Sequence, residues 1–478
     1  MKNWALAPEA SDKQRLRKFA QRFEVEVLWR ILAPIRNFGI VGGSARSRAV
    51  PSPGAMTFRR RYREGKKPIR EPSSTAQAKP ASGKAGTRGA AIAMYGVLLL
   101  AYSVNAADRQ LFPLLAHDVR VQYGFSLSDT GLLTTIFTLG LAVAGLPTGY
   151  LLARFSRKTV LLLGIGIFST GTALTVLALG FPDMLVYLAA TGIGEAMQLT
   201  VMIAIAANYF VGSRAAAIGS MNVFFGLGAF TGPILGGILL TSYRNWHAPM
   251  IAFGIFGFLM IVVIALTVRP WFSETRRAAD ARTDLLGAPT LLNRNTIILT
   301  VLSVIGGLVL YGFTGMYATY LREALHYTPK AAGFVQSFYG AGALLSIFGG
   351  WFGDRFSPRV VLSAAFFCIA ALGYLCFHGS EAIVPHVILT FAYGAIGSGT
   401  IYVNLAGYHV KSVQSSLSSR ASGMFVTSLY AAAAAAGYLM GGIASHAGWA
   451  LAGEVQISLL SVVAGSLALT LRPDQMSL

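Results

Sequence analysis

The sequence predicts an all-α membrane protein in which twelve transmembrane helices form two related six-helix halves. The composition is the first indication: of 478 residues, 54% are hydrophobic and only 12% are charged, about half the charged fraction of a soluble globular protein. The second is a series of apolar segments about 20 residues long, the length that crosses a bilayer core as a helix. The third is an internal repeat that relates the two halves of this series.

The apolar segments divide the chain into five parts. Residues 1–88 form a basic tail, 89–268 and 295–471 form the six-helix halves, 269–294 form a polar linker, and 472–478 form a short end. The predicted spans are 90–115, 129–152, 159–180, 184–209, 215–240, 248–268, 295–320, 328–352, 359–377, 386–408, 420–442 and 451–471.

The net charge of +20 is concentrated in the tail. Residues 1–88 carry 20 Lys or Arg and 6 Asp or Glu, without a zinc-finger spacing or another nucleic-acid signature. Within the tail, 14–33 has the periodicity of an amphipathic helix. Such a helix is typical of a segment that lies on an anionic membrane surface. The alternative is a poorly ordered extension. The composition of 44–88 predicts disorder, and Met56 is an alternative translational start.

The loops that connect the spans carry their charges unevenly. Arg and Lys are concentrated in the loops on the same side as the tail, which predicts that both termini are cytoplasmic. The first long apolar run is too long for a cleaved signal peptide, so we expect none. We expect a multi-pass protein of a cytoplasmic (inner) cell membrane.

The two halves contain matching loops. The loop after the second span reads GYLLARFSRK from Gly149, and the loop after the eighth reads GWFGDRFSPR from Gly350. Two six-helix halves with matching loops are typical of repeat-built secondary transporters, in which the binding site lies between the halves.

Three charged residues lie deep in apolar segments. Asp108 and Arg109 fall in the first span and Glu195 near the middle of the fourth. A charge at a helix centre costs about 2.5–3.5 kcal/mol on insertion scales, so such residues normally face a cavity and pair with one another. We expect Glu195 to load and release a proton and Arg109, which is always protonated, to hold an anionic group. The alternative is a static network that fixes the first helix against the fourth.

The matching loops resemble the G-x-L-x-D-R-x-G-R-R/K signature of the major facilitator superfamily, and the resemblance covers residues 90–471. The residues that carry it are Gly149, Arg154, Arg157 and Lys158 in the first copy and Gly350, Asp354, Arg355 and Arg359 in the second. Ala153 and Ser156 depart from the pattern, and anchoring by the positive-inside rule is the alternative role for Arg157 and Lys158.

Two shorter segments resemble the spinster-like branch of this superfamily. They are NAADRQLFPLL, which contains Asp108 and Arg109, and TGIGEAMQ, which contains Glu195. The branch is regarded as proton-coupled exporters of lysolipids and sphingoid lipids. The resemblance therefore implies coupling and gating roles for these three residues. Anion-transporting branches share the Asp-Arg pair.

The fifth span contains GAFTGPILGG, which is similar to a motif associated with antiporters. Its residues are Gly228, Gly232, Pro233, Gly236 and Gly237. The resemblance favours export, and the alternative is ordinary close packing of helices through small residues.

Polar residues within the spans are candidates to line a cavity, with an interhelical hydrogen bond as the alternative role for each. They are Asn105, Gln198, Asn222, Tyr317, Gln336 and Asn404, together with Tyr102, Tyr311, Tyr339 and Tyr402.

The sequence thus predicts a secondary active transporter that moves a small organic or amphipathic solute, anionic or lipid-like, by alternating access with proton-coupled export. The alternatives are a proton-coupled importer of an organic anion and a non-transporting sensor on the same fold. The sequence has no HExxH, GxSxG, histidine cluster or P-loop, which argues against an enzyme or an ATP-driven pump. We expect a monomer whose partners are a small-molecule substrate, protons and the lipid bilayer. We expect no nucleic acid, cofactor or metal.

Overall fold

The computed structural model describes residues 87–210, 213–275 and 287–477, and the predictions for 14–33 and 44–86 lie outside these ranges. Six spans, α1 to α6, form the N-terminal half. Their bounds are Arg88–Tyr123 for α1, Leu127–Thr135, Phe137–Val143 and Gly145–Arg154 for the three segments of α2, Arg157–Leu174 for α3, Phe181–Tyr209 for α4, Arg214–Tyr243 for α5 and His247–Thr267 for α6.

Six further spans form the C-terminal half. Their bounds are Arg294–Glu323 for α7, Pro329–Ala343 and Ser346–Arg355 for α8, Pro358–His378 for α9, Ile383–Ile396, a π-helical segment Gly397–Tyr402 and Val403–Lys411 for α10, 418–447 for α11 and 449–468 for α12.

Gly448 separates the last two spans. Helical structure runs from Ser415 to Ala468, a segment of 54 residues, which would be about 80 Å long as one straight helix and far exceeds a bilayer core of about 30 Å. The backbone at Gly448 is non-helical, with φ of 84°, a conformation that glycine adopts without strain. Counted as two spans, together with the bent α2, this segment gives twelve spans in the described residues and confirms the predicted fold.

The repeat is visible in the breaks of the helices. α2 is interrupted at Ala144 and α8 at Leu345, which is the same offset of 201 positions that relates Gly149 to Gly350. Each half therefore has an interrupted second helix.

The successive helices alternate in direction, so the molecule has two opposite faces. We call the face at which α1 begins the tail face and the other the far face. α1, α3, α5, α7, α9 and α11 run towards the far face.

Apolar side chains point both into the two halves and outwards. Many outward-facing ones are strongly exposed, such as Ile255 at 59% and Leu266 at 68% on α6. A belt of this kind suits lipid rather than water, in agreement with the composition.

α1 is longer than predicted. It was expected to end at 115 but extends to Tyr123, because polar residues beyond the apolar stretch continue the helix on the far face. There they meet the end of α7, as described below.

Candidate functional site

A ladder of buried polar side chains joins α1 to α4. Arg109 Nε lies 2.8 Å from Glu195 Oε2 and donates a hydrogen bond of 3.1 Å to Asn105 Oδ1. Asn105 Nδ2 in turn donates to Gln198 Oε1 at 2.9 Å. All four residues are at most 7% exposed. The ladder forms because each helix presents its two polar residues three or four positions apart, on one face.

The ion pair in this ladder is only partly satisfied. Arg109 Nε has a single hydrogen, which it donates to Asn105, so the short contact with Glu195 is not an aligned hydrogen bond. Within the described residues, Arg109 Nη2 is buried and has no hydrogen-bond partner. The guanidinium therefore keeps a free donor group beside its acidic partner.

Asp108 points away from this pair. Its Oδ2 accepts a hydrogen bond of 2.7 Å from Thr172 Oγ1 on α3, and the structure contains no direct ion pair between Asp108 and Arg109. Neighbouring residues on a helix point about 100° apart, which is why one side chain meets α3 and the other meets α4. The three deep charges thus lie together in the N-terminal half, but the direct ion pair is that between Arg109 and Glu195.

A central cavity of about 280 Å³ lies between the two halves. Arg109 is one of its lining residues, so the cavity adjoins the ion pair with Glu195. The lining residues are Tyr102, Arg109, Leu199, Ile203, Ile218, Met221, Asn222 and Phe225 from the N-terminal half and Leu310, Tyr311, Tyr339, Ala343, Ser346, Ser398, Tyr402, Val403, Ala406 and Tyr430 from the C-terminal half.

Several predicted cavity residues line this cavity, namely Asn222, Tyr102, Tyr311, Tyr339 and Tyr402. Asn105 and Gln198 instead belong to the polar ladder behind Arg109.

Three other candidates form interhelical hydrogen bonds away from the cavity wall. The Tyr317 hydroxyl lies 2.6 Å from His386 Nδ1, Gln336 donates to the carbonyl of Thr314 at 3.4 Å, and Asn404 donates to that of Gly349 at 2.9 Å. For these three residues the structure shows the alternative role, an interhelical hydrogen bond.

Ser346, Ser398 and Tyr430 line the cavity but were not among the predicted candidates. Two of them lie at helix irregularities: Ser346 directly follows the break in α8, and Ser398 lies in the π-helical segment of α10. Such irregularities are frequent at functional sites, but nothing in the sequence marks these two strongly.

On the far face, ion pairs connect the ends of α1 and α7. Arg322 binds both carboxylate oxygens of Asp118. Glu323 Oε1 lies 2.8 Å from Arg120 Nη1 and 3.1 Å from His117 Nδ1. We call these five residues the far-face latch. They hold together two helices of opposite halves.

Backbone contacts close the far face next to the latch. A methyl group added at Gly437 of α11 would overlap the carbonyl oxygen of Gly131 of α2, and one added at Gly340 of α8 would overlap the backbone of α5 at Phe230. Most of the cavity lining lies on the tail side of these contacts. The described conformation is therefore closed towards the far face.

The glycine motif of α5 mediates close packing. Methyl groups at Gly228 and Gly232 would collide with the backbone of α1, one at Gly236 with the side chain of Leu111 on α1, and one at Gly237 with α8. The carbonyl oxygen of Pro233 also abuts α8 at Gly333. The motif thus lies where α5 meets α1 and the opposite half.

The matching loops repeat their contacts. The guanidinium of Arg154 lies 4.3 Å from the ring centroid of Tyr150, and that of Arg355 lies 5.4 Å from that of Trp351. Both pairs obey the 201-position offset. Asp354, which has no acidic counterpart in the first loop, accepts a hydrogen bond of 2.7 Å from Lys411 Nζ.

Basic residues at the starts of α3 and α9 bind carbonyl groups at the ends of α6 and α12. Lys158 Nζ donates to the carbonyl oxygens of Ala265 and Val268 at 2.8 and 2.7 Å, and Arg359 Nε donates to that of Leu471. These bonds satisfy carbonyls that a helix end leaves unpaired. The contacts are those of helix caps within each half.

The segment that follows α6 also caps α3. The Glu274 carboxylate accepts hydrogen bonds from the backbone N–H groups of Arg157 and Lys158 at 2.9 and 3.0 Å. A carboxylate at a helix N-terminus is favourable both as a hydrogen-bond acceptor and towards the helix dipole. Arg157 further donates to the carbonyls of Ser273 and Thr275.

The fold and the site define a class of protein: two related bundles of membrane-spanning helices around a central cavity, with the basic member of a buried ion pair in its wall. The model of the Major Facilitator Superfamily matches residues 98–438 and 299–476, and the chain belongs to this superfamily. The match confirms the resemblance inferred from the loops and the prediction that the chain is a multi-pass membrane protein of a transporter family and not an enzyme.

Curated relatives include both anion transporters and spinster proteins. Probable anion transporter 4 of Arabidopsis thaliana is 28% identical over 40% of this chain and 34% of its own length. Protein spinster of Drosophila melanogaster is 26% identical over 46% and 38%. The probable galactarate/D-glucarate transporter GudP of Bacillus subtilis is 29% identical over 36% and 39%. The matched region thus spans less than half the length of each of these relatives.

Solved structures share the fold. A bacterial homolog of the human lysosomal transporter Spinster, inward-facing and unoccupied, aligns with a TM-score of 0.61 at 19% identity, covering 80% of this chain and 95% of that chain. The xylose transporter XylE from E. coli, in an inward-open conformation, aligns with a TM-score of 0.64 at 13% identity, covering 80% and 96%. At these identities the likeness concerns the fold alone.

Proposed function

We propose that this protein is a proton-linked secondary active transporter of an organic anion, in which Arg109 binds the anion and Glu195 carries the proton. The observation that carries the proposal is the position of Arg109. Arg109 contacts Glu195, is one of the residues that line the central cavity, and has a buried nitrogen without a partner within the described residues.

This position links the two binding events. While Glu195 is ionised, it neutralises Arg109. When Glu195 takes up a proton, Arg109 becomes a buried positive charge without a counterion, which is strongly unfavourable. An anion bound in the cavity supplies the missing counterion for Arg109. Protonation of Glu195 therefore favours anion binding, and anion binding favours protonation to the same extent.

The linkage bears on the direction of coupling. A proton and an anion that bind together are carried together, so the geometry supports symport. The sequence favoured export in exchange for protons, on the glycine motif of α5, and named import of an organic anion as the alternative. The close packing of that motif against α1 and α8 accounts for its glycines without antiport, and we therefore favour symport.

The curated relatives support an anionic substrate, because two of the three described above are named as transporters of anions or of sugar acids. The cavity size supports a small one. At about 280 Å³ it lies at the lower limit of small-molecule sites, which favours a compact solute over a lipid with long acyl chains.

Asp108 is the second acid of the site. Held by Thr172 on α3, it is next to Arg109 in sequence without neutralising it directly. We assign it a positioning role that fixes α1 against α3, so that Arg109 faces the cavity.

The closed far face supports alternating access as the mechanism. The far face is held shut by the latch and the glycine contacts, and transport requires that these break while the tail face closes. We further propose that the basic loops are cytoplasmic, which assigns the cavity of this conformation to the cytoplasmic side.

The test is uptake into liposomes that contain the purified protein, with an imposed pH gradient and two radiolabelled probes, D-gluconate and 4-hydroxybenzoate. We expect gradient-driven uptake of at least one probe. Glu195→Gln should abolish the dependence on the gradient, and Arg109→Gln should abolish uptake. Glu381→Gln, which removes an exposed acid, is the matched control and should behave as wild type.

If Glu195→Gln leaves gradient-driven uptake unchanged, the coupling assignment is wrong. If neither probe is transported but one binds in an Arg109-dependent way, the result favours the non-transporting sensor.

A further inference from the structure

The wall of the central cavity differs between the two halves. The N-terminal half contributes the charge of Arg109 and two aromatic rings, those of Tyr102 and Phe225. The C-terminal half contributes four tyrosine rings, Tyr311, Tyr339, Tyr402 and Tyr430. A ligand whose charge lies at Arg109 would therefore have the rest of its body against aromatic rings.

Three of these rings, those of Tyr311, Tyr402 and Tyr430, form a connected group. Tyr311 and Tyr430 are arranged edge to face, with centroids 5.9 Å apart and planes at 70°, and the hydroxyls of Tyr402 and Tyr430 lie 2.9 Å apart. Phe137 of α2 extends the group, with its centroid 6.2 Å from that of Tyr311. Buried rings held in this way present fixed faces and edges, which a planar aromatic ligand matches better than an aliphatic one of the same size.

Ser346 adds a polar point to this wall. It begins the second segment of α8 and is 6% exposed, and within the described residues its Oγ has no hydrogen-bond partner. A buried hydroxyl without a partner is unfavourable. Two lining residues from opposite halves, Arg109 and Ser346, thus each have a buried polar atom, Nη2 and Oγ, without a hydrogen-bond partner within the described residues.

We propose that the substrate is a planar aromatic monocarboxylate with a hydroxyl or carbonyl group remote from the carboxylate. The carboxylate binds Arg109, the ring packs among the tyrosines, and the remote oxygen forms a hydrogen bond with Ser346. This assignment rests on the proposed function, because it takes Arg109 as the anion site. The ligand also bridges the two halves, so its binding would couple them.

The experiment compares four probes with purified full-length protein in nanodiscs, by equilibrium binding: 4-hydroxybenzoate, benzoate, cyclohexanecarboxylate and D-gluconate. We expect affinity to fall in that order. Removing the ring hydroxyl should weaken binding about two- to tenfold, the range for one net hydrogen bond. Replacing the aromatic ring by cyclohexane should weaken it a further two- to tenfold.

A variant cycle locates the remote contact. In Ser346→Ala, 4-hydroxybenzoate and benzoate should bind equally. The control Ser337→Ala changes a buried serine of the same helix that donates to the Phe334 carbonyl and is outside the cavity lining, and it should preserve the difference between the probes.

The outcomes separate the two proposals. If D-gluconate or cyclohexanecarboxylate binds as tightly as 4-hydroxybenzoate and Arg109→Gln abolishes this binding, the aromatic assignment is wrong and the anion site stands. If the aromatic probes bind equally well to Arg109→Gln, the anion site itself is wrong. If none of the four binds at millimolar concentration, the aromatic assignment is refuted.

Discussion

Neutralising the acidic residues of the far-face latch should open the far face. The double variant Asp118→Asn and Glu323→Gln removes the carboxylates that bind Arg322 in one pair and Arg120 and His117 in the other. The backbone contacts beside the latch remain. Only the electrostatic part of the closure is therefore lost.

The size of the effect follows from the burial of the latch. The side chains of the Asp118–Arg322 and Arg120–Glu323 pairs are 9–31% exposed, so they lie between exposed pairs, worth less than 1 kcal/mol, and buried ones, whose disruption costs 3–5 kcal/mol. We take about 1–2 kcal/mol for each pair, or about 2–4 kcal/mol for both. The ratio of far-open to far-closed molecules should then rise about 30- to 1000-fold.

Electron–electron distance measurements can follow this change. Spin labels at Leu179 and Ser380 report on the far-face ends of the two halves, with Cys368 and Cys376 replaced. The double variant should show a longer distance component that is weak or absent in the parent. The control Asp354→Asn breaks the ion pair with Lys411 on the tail face and should not produce this component. A double variant with the parental distance distribution would refute the role of the latch.

Two further predictions concern packing. Gly437→Ala places a methyl group against the backbone of α2 and should disfavour the far-closed conformation or lower the melting temperature. In the control Gly423→Ala, on the same helix, the added methyl group meets nothing within 4 Å. Equal behaviour of the two variants in the distance and melting measurements would contradict this prediction. Lys158→Ala and Arg359→Ala each remove a cap of a helix end and should cost about 1 kcal/mol of stability, measured as a lower melting temperature. The control Arg154→Ala removes only a ring contact and should cost less stability. The reverse order would argue against the capping role.

Much of the fold could be predicted because it depends on local properties. Segment length and hydropathy mark the spans, and the repeated loops mark the two halves. Arg109 and Glu195 could also be found from sequence, because a charge in an apolar segment stands out whatever the tertiary structure is.

The rest of the site depends on contacts between distant parts of the chain. The wall residues Ser346 and Tyr430 were missed because the face that a helix turns to the cavity is set by packing. The latch was missed for a related reason: Arg120 and Glu323 are 203 positions apart, and each resembles an ordinary loop charge. Tyr317 shows the opposite error, since its hydroxyl pairs with His386 inside the C-terminal half.

The central claim is that anion binding at Arg109 and protonation of Glu195 are linked. Calorimetric titration of the purified protein with the probe that binds, in buffers of different ionisation enthalpy near neutral pH, measures the protons taken up per anion. The account predicts proton uptake by the wild type, and by Glu195→Gln no uptake together with binding at least as tight, because glutamine imitates the protonated acid. Proton uptake that persists in Glu195→Gln, or a loss of anion affinity in that variant, would contradict it.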